Sequence, residues 1–336
     1  MTTLRLISLL PASGGLVSGG FIYNAEVLAA LTEAGAELQT LEWEQAAAAM
    51  QADQQSWFLF DSLDLNPRID GLPLEHCRSV LLVHHLESLF PPPGVDARSL
   101  FTAEELPRLR RFRALWGTSR FTYNHLIAEP DLAGRVFAAD PAAFPPAGRR
   151  QNPAAQPHVL MVGNLCARKG VLELLEELAK VPDLPDFTLQ VVGAELEADY
   201  AAKCHGLLAA QPELQQRVQL LGPHPAEAMG QFYLDADLFL SAAAMETFGM
   251  AVREAMTAGL PVLLRAGGFS AQHLQGQGAG AVCADVPELT ARLLDLLRHP
   301  EQLQALQDQA QAQKPAARSW NQVAAEVVEA LGQHSN

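Results

Sequence analysis

The length and composition of the chain limit what it can be. Its 336 residues exceed the usual size of one compact core, so we expect two domains of roughly 150 residues each. With 49% hydrophobic and 18% charged residues, the composition is typical of a well-packed globular protein. A net charge of −15 argues against nucleic-acid binding and does not favour contact with an anionic membrane surface.

The cysteines and the apolar runs indicate the cellular setting. Cys77, Cys166, Cys204 and Cys283 form neither a CxxC motif nor a Cys/His cluster, so the sequence predicts reduced thiols and no zinc site. No apolar run reaches the ~18 residues of a membrane-spanning helix. The apolar start runs into a glycine-containing turn, which predicts a first strand and not a signal peptide. We therefore expect a cytoplasmic protein without a cofactor or a bound metal.

The first half of the chain alternates strands and helices. The strand "LRLISLL" is followed by the turn "SGG" and by the helix "FIYNAEVLAALTEAGA", which is predicted to stop at Gly35. The next clear strand, "SVLLVHH", ends in His84 and His85. "ALWGTS" and "GRVFAAD" are further strands, with the helix "RFTYNHLIAE" between them. This alternation is typical of βαβ units and predicts a parallel sheet.

A break in the pattern predicts the domain boundary. Residues 141–157, "PAAFPPAGRRQNPAAQP", lack apolar periodicity and are typical of a linker. Beyond it the alternation resumes with "HVLMVGN", "GVLELLEELAKV", "FTLQVVG", a helix across 195–210, "VQLLG", "PAEAMGQFYLDA", "DLFLSA" and "LPVLLRA".

These segments predict two α/β domains. The first covers residues 1–145 and the second 157–318, and a last helix in 319–336 is a candidate to pack back on the first domain. Open parallel sheets bind ligands at the carboxyl ends of their strands. Both domains are therefore expected to direct their loops into a central cleft.

Residues 244–262, "AMETFGMAVREAMTAGLPV", carry the most informative pattern of the second domain. Glu246 and Glu254 are separated by seven residues, and a helix is predicted to begin near Phe248–Gly249. The amides of a first helical turn have no intrahelical partner and attract anions, and glycine lets a ligand approach the backbone. A solvated helix face is the commoner explanation of two isolated glutamates, but the small apolar residues between these two argue against it.

Basic residues form two further patterns. Arg168 and Lys169 stand just before Gly170, where a strand has ended and a helix begins. From these residues alone an anion site and a solvated turn are equally good explanations. Neither a GxGxxG fingerprint nor a P-loop occurs in the sequence. The run "RLRRFR" at 108–113 is more typical of a solvated helix face than of a site for an anionic lipid or polysaccharide.

Taken in order, three segments resemble the carboxy-terminal domain of glycosyltransferase family 4. They are "VLMVGNLCARKGVLELLEEL", "VQLLG" and "FYLDADLFLSAAAMETFGMAVREAMTAGLPVLLRAGG". The resemblance is strong across 158–285 and fainter in "SGGFIYNAEVLAALTEAGAEL", "LLVHH" and "WGTSRFTYNHL". It implies a GT-B fold of two Rossmann-like domains facing a central cleft. It also implies a retaining, metal-independent hexosyltransferase with a nucleotide sugar as co-substrate.

The resemblance further implies roles for single residues. Lys169, helped by Arg168, would bind the donor diphosphate, and Glu254 would bind the ribose hydroxyls. Glu246 would bind the transferred sugar, and together with Lys169 and the strand-end His84 it is the predicted catalytic group. The other predicted donor contacts are Gly19, Gly20, Asn164, Thr247, Phe248, Gly249 and Met250. Candidate sugar or acceptor contacts are Tyr23, Asn24 and His85.

The chain departs from the family pattern in three places, one of which is a pair of residues. Many relatives carry arginine where this chain has Asn164 and glutamate where it has Ala271, which puts donor contacts at both places in question. The Pro-Ser that often precedes the first glutamate is Ala242-Ala243 here.

Several functions stay open at this point. The expected donor is a UDP-sugar, with a GDP-sugar as the alternative, and the acceptor is an unidentified soluble small molecule or a glycan. One alternative function is a non-catalytic GT-B protein that binds a nucleotide sugar. Another is a different enzyme on the same fold, such as an epimerase or a phosphorylase. The sequence predicts no particular oligomeric state.

Overall fold

The computed structural model describes residues 3–15, 17–90, 101–142, 156–276 and 278–335. It divides into two compact units. The first unit contains the residues up to Gly15, then Gly19–Ala142, and finally Arg318–Asn336. The second unit contains Ala143–Ala317 together with the short segment Leu16–Ser18. Most of the predicted linker, 143–155, lies outside the described residues.

The strands and helices alternate along the chain. The strands are β1 (Arg5–Ser8), β2 (Glu37–Thr40), β3 (Trp57–Asp61), β4 (Arg78–Val83), β5 (Ala114–Gly117), β6 (Val136–Ala138), β7 (His158–Val162), β8 (Thr188–Val192), β9 (Val218–Gly222), β10 (Leu238–Ser241), β11 (Val262–Arg265) and β12 (Gly280–Cys283). The helices are α1 (Gly19–Glu33), α2 (Ala46–Ala52), α3 (Glu105–Leu109), α4 (Arg120–Ile127), α5 (Val171–Leu178), α6 (Ala198–Ala210), α7 (Pro212–Gln215), α8 (Ala226–Asp235), α9 (Met250–Thr257), α10 (Val286–Arg298), α11 (Pro300–Ala312) and α12 (Trp320–Gln333). None of these described helices is long and apolar enough to cross a membrane.

The first unit is built on a six-stranded parallel sheet in the order β2-β1-β3-β4-β5-β6. Side chains alternate between its two faces, as strand geometry requires. Phe58 and Phe60 of β3 join one core cluster, whereas Trp57 and Leu59 join the other. The second of these clusters also contains residues of α1 and α12, so the last helix packs on α1 in the core of this unit.

The second unit contains another six-stranded parallel sheet, in the order β12-β11-β10-β7-β8-β9. Helices α5, α6 and α10 contribute to the core on one face, and α8 and α9 contribute to the core on the other. Because all strands run the same way, the segments that follow β7, β10 and β11 emerge at one edge of the sheet. That edge is where open α/β sheets bind their ligands.

Most of the predicted strands and helices are present, and the differences have simple causes. The turn predicted at "SGG" is wrong at its glycines, because Gly19 and Gly20 form the first turn of α1. Glycine is tolerated there since the first amides of a helix do not depend on intrahelical bonds. Strands β2, β3 and β12 and helices α7, α10 and α11 were not predicted. Helix α10 is nevertheless marked by an Asp285 cap and a proline in its first turn.

Candidate functional site

The turn that carries the two cations is seated against the segment after β10. Gly170 follows this turn with a φ of 71°, a left-handed conformation that side chains disfavour. A Cβ atom on Gly170 would lie 2.3 Å from the carbonyl oxygen of Ala242. The Ala244 amide donates a 2.9 Å hydrogen bond to the carbonyl oxygen of Arg168. A glycine at 170 therefore permits both the turn and its close approach to the neighbouring loop.

This close approach brings Arg168 and Lys169 onto Glu246. The Lys169 ammonium is hydrogen-bonded to Oε1 of Glu246, and Arg168 Nη1 lies 3.3 Å from Oε2. Arg168 also donates a 3.0 Å hydrogen bond to the carbonyl oxygen of Met245. The Glu246 backbone is held as well, since its carbonyl oxygen accepts a 2.7 Å bond from the Phe269 amide after β11. The sequence predicted all three charged residues for one site, and the structure brings them together.

The charges of this cluster do not cancel. The Glu246 side chain is only 14% exposed, and burial alone would raise its pKa. The charges of Lys169 and Arg168 outweigh burial and hold the pKa of Glu246 below its ordinary value. Glu246 is thus ionised at neutral pH. Two cations meet one carboxylate, and the cluster keeps one net positive charge for an anionic ligand.

The start of α9 lies three residues beyond Glu246 and is held by His273. Gly249 caps the helix at a φ of 83°, between Phe248 and Met250, the first residue of α9. His273 Nε2 lies 2.7 Å from the Phe248 carbonyl oxygen, which can only accept, so Nε2 carries the hydrogen. Burial lowers the pKa of His273 to about 4 and keeps the ring neutral. In a trans peptide the C=O and the following N–H point in opposite directions, so this bond turns the Gly249 N–H away from His273.

Glu254 is held by a residue that the sequence did not indicate, Tyr233. The Tyr233 hydroxyl, on α8, donates a 2.6 Å hydrogen bond to Glu254 Oε2. Burial raises the pKa of Glu254, and the bond from Tyr233 opposes that effect. Burial and the nearby Glu254 charge raise the pKa of Tyr233 well above its ordinary value, so the hydroxyl keeps its proton. No described residue hydrogen-bonds Oε1 of Glu254, and that oxygen can accept a bond from a ligand hydroxyl.

Asn164 and Ala271, two of the departures from the family pattern, have different surroundings. Asn164 accepts a 2.9 Å hydrogen bond on its Oδ1 from the Ala194 amide, so it links the ends of β7 and β8. Ala271 lies in the turn Ser270–Leu274, two residues before His273. Thr247 lies in the loop between Glu246 and Phe248.

In the first unit, His84 is linked to two buried polar residues. Its Nε2 lies 2.7 Å from Oδ1 of Asn24, and Asn24 Nδ2 donates a 3.0 Å bond to Oδ2 of Asp61. Burial lowers the pKa of His84, and the Asp61 charge acts in the opposite direction. Asp61 was not predicted, although a carboxylate directly after the apolar run "WFLF" marks a strand end. His85 is exposed, and its ring packs against Phe90 at 4.4 Å.

The remaining predicted residues of the first unit lie around His84. The imidazole lies over Gly20, and the ring of Tyr23 meets it edge-on at 5.4 Å. The Tyr23 hydroxyl donates to the Ala139 carbonyl oxygen at 2.7 Å and accepts from Trp116 Nε1 at 3.0 Å. Both bonds of that hydroxyl are therefore made inside the core. Gly19 precedes Gly20 in the first turn of α1.

The basic run "RLRRFR" is more than a solvated face. Arg108 pairs with Asp70 at 3.0 Å, and Arg111 pairs with Glu75 at 2.6 Å. Arg110 lies 2.7 Å from Asp131. Three of the four arginines of the run are thus paired with carboxylates, which does not support an anion site. Among the described residues no group of three or more His, Cys, Asp or Glu side chains is arranged to hold a metal ion.

Residues 148–313 match the family of glycosyl transferases group 1. The matched residues lie within the second unit, and they contain the Lys169–Arg168–Glu246 cluster and the Tyr233–Glu254 pair described above.

One curated relative and two solved structures illustrate the likeness. The chain is 32% identical over 174 residues to the D-inositol 3-phosphate glycosyltransferase of Corynebacterium urealyticum, and this match covers 50% of this chain and 41% of that protein. The fold resembles sucrose-phosphate synthase from Thermosynechococcus elongatus, with a TM-score of 0.76, 19% identity and 98% of each chain covered. It also resembles Anabaena HepE in complex with UDP and glucose, with a TM-score of 0.73 and 16% identity over 98% of this chain and 99% of that one.

These likenesses, with the two parallel sheets, confirm the predicted GT-B fold. The segment matched by sequence spans only 36 to 41% of the length of the first two curated relatives.

Proposed function

We propose that this chain is a retaining glycosyltransferase that transfers a hexose from a nucleotide sugar to a hydroxyl of an acceptor. The observation that carries the proposal is the Lys169–Arg168–Glu246 cluster, which precedes the start of α9 in the residues that match the family of glycosyl transferases group 1. A nucleotide sugar has three parts to be bound, a diphosphate, a ribose and a sugar. The residues of this cluster, with Glu254, offer chemistry suited to each.

The diphosphate is assigned to Lys169, with Arg168 as its helper. The cluster keeps one net positive charge, and the Gly249 amide at the start of α9 is turned away from the His273 bond that holds Phe248. Positive charge and unpaired helix amides attract a diphosphate. They favour it most as its bond to the sugar breaks and negative charge grows on the leaving oxygen. These groups thus stabilise the transition state more than the bound donor.

The two glutamates receive different roles. Glu254, with Oε1 open and Oε2 held by Tyr233, accepts hydrogen bonds from the ribose hydroxyls. Glu246 is bonded to Lys169 in the free protein. A bound diphosphate competes for Lys169 and leaves Glu246 to accept hydrogen bonds from the hydroxyls of the transferred sugar. His84 of the first unit is proposed as a further contact of that sugar.

The proposed chemistry needs no protein nucleophile. The bond from the anomeric carbon to the diphosphate oxygen breaks, and a bond to the acceptor oxygen forms on the same face. The acceptor proton passes to an oxygen of the departing diphosphate, so charge and atoms balance. The proposal includes no metal ion, because the Lys169 and Arg168 charges act on the diphosphate directly. Added EDTA is therefore expected to leave the rate unchanged.

A UDP-sugar is the favoured donor, with a GDP-sugar as the alternative. The fold likeness to HepE in complex with UDP and glucose supports this preference. For the acceptor we favour a soluble polyhydroxylated small molecule over a glycan, since a relative is named for D-inositol 3-phosphate. Four buried, free cysteines suit a reducing compartment, and action in the cytoplasm is part of the proposal.

The test is incubation of the purified chain with UDP-sugars and GDP-sugars, with and without polyol and sugar acceptors. Release of the nucleotide diphosphate is measured, and the anomeric configuration of any product is determined by NMR. We expect slow hydrolysis of one donor without acceptor, faster release with an acceptor, and a product with the donor's configuration. Tight donor binding without turnover would support the alternative of a non-catalytic protein that binds a nucleotide sugar. The departures from the family pattern at Asn164 and Ala271 are the reason to test for this alternative. The absence of both donor binding and turnover would contradict the proposal.

A further inference from the structure

Three polar side chains form a buried line at the carboxyl ends of neighbouring strands. Asp61 ends β3, His84 directly follows β4, and Asn24 lies in the second turn of α1. Asp61 is 1% exposed and Asn24 is 6% exposed. Asn24 stands between the other two, 3.0 Å from Asp61 Oδ2 through its Nδ2 and 2.7 Å from His84 Nε2 through its Oδ1. Buried polar groups without partners are unfavourable, so these three side chains are held in one arrangement of donors and acceptors.

The donors and acceptors of this line determine where the hydrogen of His84 lies. The Asp61 carboxylate only accepts, so the NH₂ group of Asn24 must face it. The amide oxygen of Asn24 then faces His84, and because this oxygen also only accepts, Nε2 must carry a hydrogen. Burial lowers the pKa of His84 and favours the neutral ring. In a neutral imidazole with hydrogen on Nε2, Nδ1 is an acceptor, and no described residue hydrogen-bonds it.

Asp61 also holds the backbone on which His84 stands. Its Oδ1 accepts a 2.9 Å bond from the Leu63 amide and lies 3.4 Å from the Ser62 hydroxyl. The Ser62 oxygen in turn accepts bonds of 3.1 Å from the amides of His84 and His85. One carboxylate thus orders both the ring of His84, through Asn24, and the chain at the end of β4, through Ser62.

We propose that Asp61 and Asn24 are positioning residues for His84, which they hold as the Nε2–H tautomer with Nδ1 as an open acceptor. Resting on the proposed function, we assign to Nδ1 a hydrogen bond from a hydroxyl of the transferred sugar. In this assignment Asn24 is not itself a sugar or acceptor contact, because both ends of its amide are occupied within the unit. Asp61 acts through Asn24 and touches no substrate.

The tautomer is measured directly on the free protein. Protein labelled with ¹⁵N-histidine gives long-range ¹H–¹⁵N spectra that distinguish the two neutral tautomers, and His84→Gln identifies the signal. The wild-type protein is expected to show the Nε2–H form. In Asp61→Asn the charge that orients the Asn24 amide is lost, so the Nδ1–H form is expected to appear. The kcat for sugar transfer is then expected to fall by about tenfold, the value of one neutral hydrogen bond.

Two further variants separate positioning from folding. The exchange variant Asn24→Asp/Asp61→Asn places a carboxylate beside His84 and an amide donor behind it, and it is expected to restore both the Nε2–H form and the rate. Asp64→Asn removes a buried carboxylate three residues from Asp61 that lies outside the line, and it is expected to change neither. The Nδ1–H form of His84 in the wild-type protein would overturn the proposal, even if no variant of Asp61 or Asn24 folds. An Asp61→Asn variant that loses rate with an unchanged tautomer would also overturn it.

The same experiments separate this proposal from the proposed function. Expected tautomers in a wild-type protein that transfers no sugar would contradict the glycosyltransferase assignment and the sugar contact of Nδ1. The positioning of His84 by Asp61 and Asn24 would then stand as a property of the fold alone.

Discussion

The Tyr233 hydroxyl of α8 donates a 2.6 Å hydrogen bond to Glu254 Oε2 of α9, and it joins the two helices that cover one face of the second sheet. Burial raises the pKa of this glutamate and so disfavours its ionised form, and the hydrogen bond from Tyr233 opposes that effect. A buried carboxylate with one open oxygen is suited to a ligand that brings hydroxyl donors. In our account that ligand group is the ribose of the donor.

Tyr233→Phe is expected to weaken binding of both UDP and uridine by about tenfold, since Glu254 loses the bond that orients it towards the ribose. Calorimetry with the two ligands measures the effect. Tyr200→Phe is a matched control, because the Tyr200 hydroxyl donates an equally short 2.6 Å bond to Glu173 in the same unit. Equal losses of affinity in the two variants would mean that Tyr233→Phe weakens binding by destabilising the whole domain and not through Glu254.

Glu254→Gln is expected to raise the thermal stability of the free protein at neutral pH. The folded-state pKa of Glu254 lies above 4.5, its ordinary value, which we take for the unfolded chain. The stabilisation that Glu254 contributes is therefore fully present below pH 4.5 and is lost as the pH rises through the folded-state pKa. Glutamine removes this loss and still accepts the Tyr233 bond. Melting temperatures at pH 4 and pH 7.5 check the sign, and a gain that is larger at pH 4 would contradict it.

Lys169→Ala is expected to weaken UDP binding by roughly ten- to a hundredfold and to leave uridine binding unchanged, because the lost charge acts on the diphosphate alone. Isotherms for both ligands are compared with those of Lys180→Ala. Lys180 also pairs with a glutamate, Glu177 at 2.6 Å, but it is exposed and has no proposed role. A parallel loss of UDP and uridine affinity in Lys169→Ala would place the lysine elsewhere than at the diphosphate.

Gly170→Ala is expected to destabilise the protein by on the order of 2 kcal/mol, because φ at 170 is positive and the added Cβ meets the Ala242 carbonyl oxygen. UDP binding is expected to weaken too, since the turn that carries Lys169 is displaced. Gly206→Ala, in the interior of α6 with open space around the new methyl group, should instead stabilise by about 0.5–1 kcal/mol. Chemical denaturation of both variants tests the contrast, and a neutral Gly170→Ala would contradict it.

The sequence indicated more of the second unit than of the first. The Glu246–Glu254 spacing and the Arg168-Lys169-Gly170 turn are local patterns, and parallel strands bring such segments to one edge. Tyr233 and His273 were not indicated, because each acts through a tertiary contact with a residue 21 or 25 positions away. Nothing in the letters of a helix such as "FYLDA" shows which partner its tyrosine meets.

In the first unit the same limit applies to Asp61. It is 37 residues from Asn24 in the chain, and only the order β1-β3-β4 brings α1 beside both strand ends. The sequence therefore predicted His84 and Asn24 as separate ligand contacts. Their bond to each other depends on sheet order, which a single sequence does not show.

The central claim is that the two glutamates of one helix start have different roles, and paired measurements on Glu246→Gln and Glu254→Gln test it most directly. UDP isotherms are measured beside initial rates of sugar transfer. Glu246→Gln is expected to keep its UDP affinity, since Lys169 and Arg168 remain, and to lose turnover by on the order of a hundredfold, as for a contact strongest in the transition state. Glu254→Gln is expected chiefly to lose UDP affinity. The opposite division, or two variants that behave as the wild type, would contradict the account.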